Sequence, residues 1–218
     1  MKTDSVTAAR PGALAREGMP ASLVLLFATA SGLSVANVYY AQPLLDALAL
    51  DFGIGQAAIG GVVAATQAGC ALALLLLVPL GDRVERRRLM AVQLLALAGV
   101  LGVVALARSP AVLLAGMLGV GLLGTAMTQG LIAYAASAAA SHERGRVVGA
   151  AQSGVFMGLL LARVFAGLVS DLAGWRGVYA CAAVMMLALA WPMGHCWRPC
   201  CSCCAPTGCC RSAACWRC

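Results

Sequence analysis

Pro79-Leu80-Gly81-Asp82-Arg83-Val84-Glu85-Arg86-Arg87-Arg88 is a short charged break between two long apolar runs, and its reading decides the fold. A hydrocarbon layer ~30 Å thick takes about 20 helical residues to cross. Runs of that kind occur at 20–44, 57–80, 89–107, 111–137, 147–169 and 177–193. Polar connections such as Asp51-Phe52-Gly53 and Ser141-His142-Glu143-Arg144-Gly145-Arg146 separate them. The expected fold is therefore an all-α membrane protein with six transmembrane helices. Bundled helices satisfy their own backbone hydrogen bonds, as a bilayer demands. The chain divides into a tail at 1–19, a transmembrane domain at 20–193 and a Cys-rich tail at 194–218.

Composition excludes the soluble alternatives. Of 218 residues, 62% are hydrophobic and 11% charged, with mean hydropathy +0.90, whereas soluble domains carry roughly 25% charged residues. The single lysine is Lys2. A phosphate-binding loop of the G-x-x-x-x-G-K-[ST] type is thereby excluded, because it needs a lysine on the phosphates. The first apolar run follows Lys2, Arg10 and Arg16, but it is too long for a cleaved leader and five more follow it.

Orientation follows from the basic residues. With the N-terminus in the cytoplasm, inner segments before residue 147 hold nine of them (Lys2, Arg10, Arg16, Arg83, Arg86, Arg87, Arg88, Arg144, Arg146) and outer loops hold two, Arg108 and Arg176. This is a positive-inside distribution. Asp46, Asp51 and Asp171 fall outside, and both termini inside. The chain is thus expected in the inner membrane as a multi-pass protein, with the lipid bilayer as its surroundings.

Around residue 171 the chain reads Asp171-Leu172-Ala173-Gly174-Trp175-Arg176. Asp171 stands five residues before Arg176, as Asp82 stands five before Arg87, at an offset of 89 residues. Three helices intervene, and an odd number of crossings puts the copies on opposite faces, the mark of an inverted repeat. The spans are accordingly read as two inverted three-helix repeats.

These residues resemble the major facilitator superfamily, whose N-terminal halves consist of two such units. Leu80, Gly81, Asp82, Arg83, Arg86 and Arg87 stand on the positions of its G-x-L-a-D-R-x-G-R-[RK] loop, with Val78 and Glu85 at the two glycines. Asn37-Val38-Tyr39-Tyr40-Ala41-Gln42-Pro43-Leu44-Leu45 is similar to the end of the first helix in bacterial drug and sugar-efflux members. The resemblance, over residues 20–193, implies ion-coupled efflux of a small molecule by alternating access. It assigns Gly81, Asp82, Arg83, Arg86 and Arg87 to a cytoplasmic gate and requires an opposing six-helix half. It implies neither an enzyme nor a cofactor.

Polar residues inside spans must be satisfied without water. Ser34, Asn37 and Tyr40 share a face of the first span, and Thr125, Thr128 and Gln129 share one on the fourth. The resemblance places both helices at the cavity, so Asn37, Tyr40, Thr125 and Gln129 are substrate-contact candidates, with interhelical hydrogen bonding as the alternative. Arg163 joins them. An arginine at a span centre costs ~2.5–3.5 kcal/mol, and Arg163 either snorkels towards Asp171 or Asp46 or faces a cavity with Gln152 and Phe156.

Other motifs fail in context. Gly119-Val120-Gly121-Leu122-Leu123-Gly124 has the dinucleotide-binding spacing but lies inside a span with no strand before it, so close helix packing explains it, as for Gly154 and Gly158. His142 and His195 are isolated. Nine of eleven cysteines lie between Cys196 and Cys218, without the paired spacing of a metal framework. The tail reads as a shifted frame in which leucine codons appear as cysteine. No metal site and no nucleic-acid partner follow, because topology explains the arginines. A non-transporting membrane fragment or a metal-binding membrane protein is the alternative to a transporter. Cysteine-accessibility labelling is expected to find residues near Asp51, Ser109 and Gly174 outside and those near Glu85 and His142 inside; labelling of 83–88 from outside would overturn the topology.

Overall fold

The computed structural model describes residues 20–81 and 86–196, with backbone alone at 56, 57, 86, 87 and 191–196. Helix α1, Ala21–Tyr39, starts behind Pro20, whose carbonyl accepts from the Leu23 and Val24 amides at 3.0 and 3.2 Å. Pro43 tightens the chain into a 3₁₀ turn at Gln42–Leu44, and α2, Leu45–Phe52, ends on Gly53 at φ 61°, a left-handed cap that glycine reaches without strain. Asp51 and Phe52, expected in a connection, instead form the last turn of α2.

Helix α3, Gln56–Leu72, runs through a widened π turn at Ala73–Leu77 into α4, Val78–Leu80. Pro79 lacks an amide proton and its ring collides with a carbonyl one turn back, so the ladder has to change pitch there. α5 is Arg86–Ala105. α6, Pro110–Ala138, begins with Pro110 in its first turn and with Ser109 Oγ accepting from the Val112 amide at 3.4 Å.

The last helix, α7, covers Arg144–Cys196 and is broken at Gly174, with φ 68° and ψ 177°. A straight helix of 53 residues would be ~80 Å long at 1.5 Å per residue, well beyond a bilayer. The sequence places a polar connection between runs at 147–169 and 177–193; the chain stays helical on both sides of this one residue. A glycine can hold that conformation where an L side chain would be strained. Among the described residues, five helices are long and apolar enough to cross a membrane: Ala21–Phe52, Ala58–Leu80, Arg88–Ala105, Pro110–Ala138 and Arg144–Ala190. The chain is an all-helical membrane protein. The stretches 1–19 and 197–218, with most of the Cys-rich tail, lie outside the described residues.

Hydrocarbon gives apolar helices no hydrophobic reason to associate, so close backbone approach has to supply the attraction. It occurs at two crossings. A Cβ on Gly154 would overlap the Ala28 carbonyl, and one on Gly158 the Gly32 carbonyl, which seats α7 on α1. A Cβ on Gly69 would overlap the Leu118 carbonyl, and one on Gly121 the Thr66 carbonyl, which seats α3 on α6. Gly124 meets Val38 and the Ser34 carbonyl, and Gly119 meets Val100. Every glycine of the apparent dinucleotide motif is thus a packing residue. Leu97, Leu101, Met117, Met127, Leu131 and Met186 fill the interior, while Leu75 in the π turn and Leu160 and Leu168 on α7 lie exposed.

Overpacking a closed contact costs ~1–3 kcal/mol, and at Gly158 the obstacle is backbone that cannot rotate away. Gly158→Leu is expected to lower the thermal unfolding midpoint of the purified chain in detergent by several degrees or to prevent its recovery. Gly99→Leu, whose Cβ would meet open space, is expected to leave the midpoint unchanged. Equal behaviour of the two would remove the crossing from the account.

Candidate functional site

The faces of α1 and α7 alongside their glycine crossing frame a groove of about 910 Å³, with Ala28, Gly32, Gly154 and Gly158 of the crossing in its wall. Thr29, Leu33, Tyr40, Met157, Leu161 and Phe165 are among the residues lining it. Its hydroxyls are spent on their own helices: Thr29 Oγ1 donates to the Leu25 carbonyl at 3.0 Å and Ser153 Oγ to the Gly149 carbonyl at 2.8 Å. The wall is therefore apolar in effect. Towards the Asp51 end of the bundle the seam closes with the Tyr40 and Phe165 rings, centroids 5.3 Å apart. Beside them Arg163 Nη2 donates to Gln42 Oε1 at 3.3 Å. The guanidinium does extend towards the helix ends, but its partner is Gln42 and neither Asp171 nor Asp46.

Asn37 sits elsewhere. It is fully buried; Nδ2 donates to the Leu33 carbonyl at 2.7 Å and approaches Met186 Sδ at 3.5 Å. It therefore bridges α1 to the second segment of α7 and does not line the groove. Its Oδ1 has no partner, and neither do Ser31 Oγ, Ser34 Oγ and Tyr179 Oη. Such buried orphans are costly, ~1–3 kcal/mol each.

A second, smaller pocket of about 190 Å³ lies at the Gly81 end, between α4, α5 and α6. Leu77, Gly81, Met90, Gln93 and Gln129 are among its walls. Gln129 is exposed there, while Thr128 is buried with its hydroxyl on the Gly124 carbonyl at 2.8 Å. Thr125 is half-buried and lines neither space. The candidates thus divide: Tyr40 and Arg163 meet on one seam, Gln129 joins Gly81 on another, and Asn37 and Thr125 belong to helix contacts. Asp82 and Arg83 lie outside the described residues, and the Arg86 and Arg87 side chains do too.

Three participants were not singled out from the sequence. Gln93 is buried in the third apolar run, and the rule that picked out Gln129, a polar residue within a span, applies to it equally. Gln42 has no such signal, since its partner is 121 residues away. The third is a cluster at the Asp51 end. Arg176 pairs with Asp51 at 3.1 Å, Trp175 Nε1 donates to the same carboxylate oxygen at 3.3 Å, and Arg176 also donates to the Ala107 carbonyl at 3.1 Å. The guanidinium lies 4.5 Å from the Trp175 ring centroid. One arginine therefore ties the ends of α2 and α5 to the bend in α7. Among the described residues no group of three or more metal-ligating side chains occurs.

The sequence pattern of the Major Facilitator Superfamily matches residues 25–200. The chain is 44% identical to "Uncharacterized transporter YgaY" of Escherichia coli over 169 residues, which are 78% of this chain and 43% of that protein. It is 39% identical to "Probable transporter SCO4007" of Streptomyces coelicolor over 178 residues, 82% of this chain and 40% of that one. It spans about two-fifths of the length of these curated relatives.

Because both members of the Asp51–Arg176 pair are partly solvated, with side chains 38% and 46% exposed, their attraction alone contributes little. One terminal nitrogen, Nη2, makes both contacts, while the guanidinium lies over the Trp175 ring. Arg176→Lys, which keeps the charge and loses the planar group on that ring, is expected to destabilise the purified chain almost as much as Arg176→Gln, read as the thermal midpoint. Full rescue by lysine would reduce the cluster to simple charge attraction.

Proposed function

The chain belongs to the major facilitator superfamily, and on that premise we propose that it forms the amino-terminal six-helix half of an inner-membrane secondary transporter that exports a small molecule by ion-coupled alternating access. In this reading the bend at Gly174 divides α7 into a fifth and a sixth span, and the spans form two inverted three-helix repeats. The observation that carries the reading is an equivalence between the two glycine crossings. Adding 89 to Gly32 gives Gly121, and adding 89 to Gly69 gives Gly158. Gly32 and Gly158 belong to the α1/α7 crossing, Gly69 and Gly121 to the α3/α6 crossing. The same offset relates Asp82 and Arg87 to Asp171 and Arg176. A packing contact and a charged sequence motif thus share one period, as an inverted repeat requires.

The exposed apolar faces follow the same period. Leu72 at the end of α3 and Leu75 in the π turn correspond to Leu161 and Val164 on α7, and all four are exposed. We take these paired faces as the surface for the opposing six-helix half, with the N-terminus cytoplasmic. Tyr40 and Gln129 are proposed to contact the substrate from spaces open between helices, and Arg163 from its place against Gln42, with Asn37 and Thr125 positioning α1 and α6. Gly81, Asp82, Arg83, Arg86 and Arg87 are proposed as the cytoplasmic gate. Gly81 supports that role by its place on the smaller pocket, next to Gln129.

The gate is testable once the opposing half is supplied. Asp82→Asn removes a charge at nearly constant volume, and a charge-assisted hydrogen bond lost from one state, ~1.5–3 kcal/mol, shifts the balance of inward-facing and outward-facing states about tenfold to over a hundredfold. Substrate flux in vesicles is expected to fall while membrane insertion persists, because the arginines that set topology remain. Arg108→Gln is expected to transport like the parent. Parental flux from Asp82→Asn would remove the gate, and absence of flux from the parent would remove the transport reading.

A further inference from the structure

Several polar side chains buried in this bundle bond to their own helix, as Asn37, Thr66 and Thr128 do to the carbonyl one turn back. The unpartnered Ser31 and Ser34 hydroxyls line neither the groove nor the smaller pocket. Gln93 differs on both counts. It is 4% exposed, yet among the described residues its carboxamide has no hydrogen-bond partner, and it lines the pocket of about 190 Å³ at the Gly81 end. Gln129, exposed on the same pocket, has no partner either. The two glutamines come from different helices, α5 and α6, so the fold and not one polar stripe brings them to a common space. An amide buried without a partner is costly, and that cost is relieved when a complementary group enters.

The walls say what that group is attached to. Apart from the two glutamines, the described lining is aliphatic, with Leu77, Val78, Leu89 and Met90 among it, or alanine and glycine. A charged ligand would lose its hydration there and meet no opposite charge, so the ligand is neutral. A carboxamide offers an acceptor oxygen and two donor hydrogens, and its complement presents a donor beside an acceptor. At about 190 Å³ the space is below the ~300–1,000 Å³ of drug-sized sites, so the ligand is small. We propose that Gln93 and Gln129 head a ligand site between α4, α5 and α6, which takes a small uncharged molecule carrying an amide or urea group on an apolar body. The described lining residues all lie between Leu77 and Ala133 of this chain, so binding does not wait for an opposing half. Taking the ligand for the exported molecule rests on the transport reading above; the binding itself does not.

The test uses the 218-residue chain in phosphatidylcholine nanodiscs, with empty nanodiscs as the blank for partition into lipid. The probes share one shape: benzamide, anionic benzoate, and acetophenone, which keeps the acceptor and lacks the donors. Binding is measured by equilibrium dialysis. The parent is expected to bind benzamide at least tenfold more tightly than either of the others, because a site built on hydrogen-bonding groups rejects an analogue that leaves them unpaired. Gln93→Met, unbranched and without an amide, is expected to bring benzamide down to the level of acetophenone while leaving acetophenone binding unchanged. Gln129→Met is expected to weaken the preference, and Gln67→Met, outside this pocket, to match the parent. The thermal midpoint separates a ligand-binding amide from a structural one. Gln93 has no partner to lose, so Gln93→Met is expected to unfold no lower than the parent. A parent without preference for benzamide overturns the proposal, as does a preference that survives in Gln93→Met or is lost equally in Gln67→Met, or a midpoint for Gln93→Met well below the parent's. Flux through a complete transporter does not enter these readings, so the ligand site and the transport function fail separately.

Discussion

Backbone-to-backbone approach at glycine is the constraint on which this bundle depends. Inside a bilayer, burying leucine against leucine gains little over leaving it in lipid, so helices associate where their surfaces come closest. At the Ala28/Gly154 and Gly32/Gly158 contacts, and again at Thr66/Gly121 and Leu118/Gly69, there is no room for a methyl group. Those crossings determine how α1 lies on α7 and α3 on α6. They also determine where the helices part, and therefore where open space remains.

The groove runs alongside the first crossing, whose residues Ala28, Gly32, Gly154 and Gly158 form part of its wall, as far as Tyr40 and Phe165. Polar groups sort themselves around that geometry. Where helices are closest, polar side chains turn inward or onto their own carbonyls, as Asn37, Thr66 and Thr128 do. Elsewhere they face open space, as Gln129 does, or bond to the neighbouring helix end, as Arg163 does to Gln42. The bend at Gly174 lets a single helical stretch return to the bundle, and Trp175 and Arg176 immediately beyond it fasten the return to Asp51 and Ala107.

Much of this was legible because hydropathy has a long period and glycine a short side chain. Six apolar runs are readable from the order of residues alone, and Gly154 and Gly158 declare a contact without revealing its partner. What escaped depends on pairs distant in the chain. Nothing local tells Gln42 that Arg163 will be its neighbour, or Asp51 that Arg176 will claim it in preference to Asp171. The connection expected at 170–176 is narrower than its residues suggest: Asp171 and Trp175 look like a loop, yet the break is confined to Gly174, whose positive φ redirects a helix without unwinding its neighbours. Asn37 was a candidate for substrate contact and for interhelical hydrogen bonding alike; its amide nitrogen meets the Leu33 carbonyl and Met186, while Oδ1 is left without a partner.

The account's central claim is that the two glycine crossings are equivalent contacts of one repeated unit. Disulfide-length cross-linking in a background with the native cysteines replaced by serine tests it directly. One pair of cysteines replaces Thr29 and Ser153 across α1 and α7; the other replaces Leu118 and Ala64, each 89 residues from its counterpart, across α6 and α3. Both pairs are predicted to cross-link in membranes at similar rates, while the mixed pair at 29 and 64 does not. Efficient cross-linking of one pair with none in the other would contradict the equivalence and the repeat built on it.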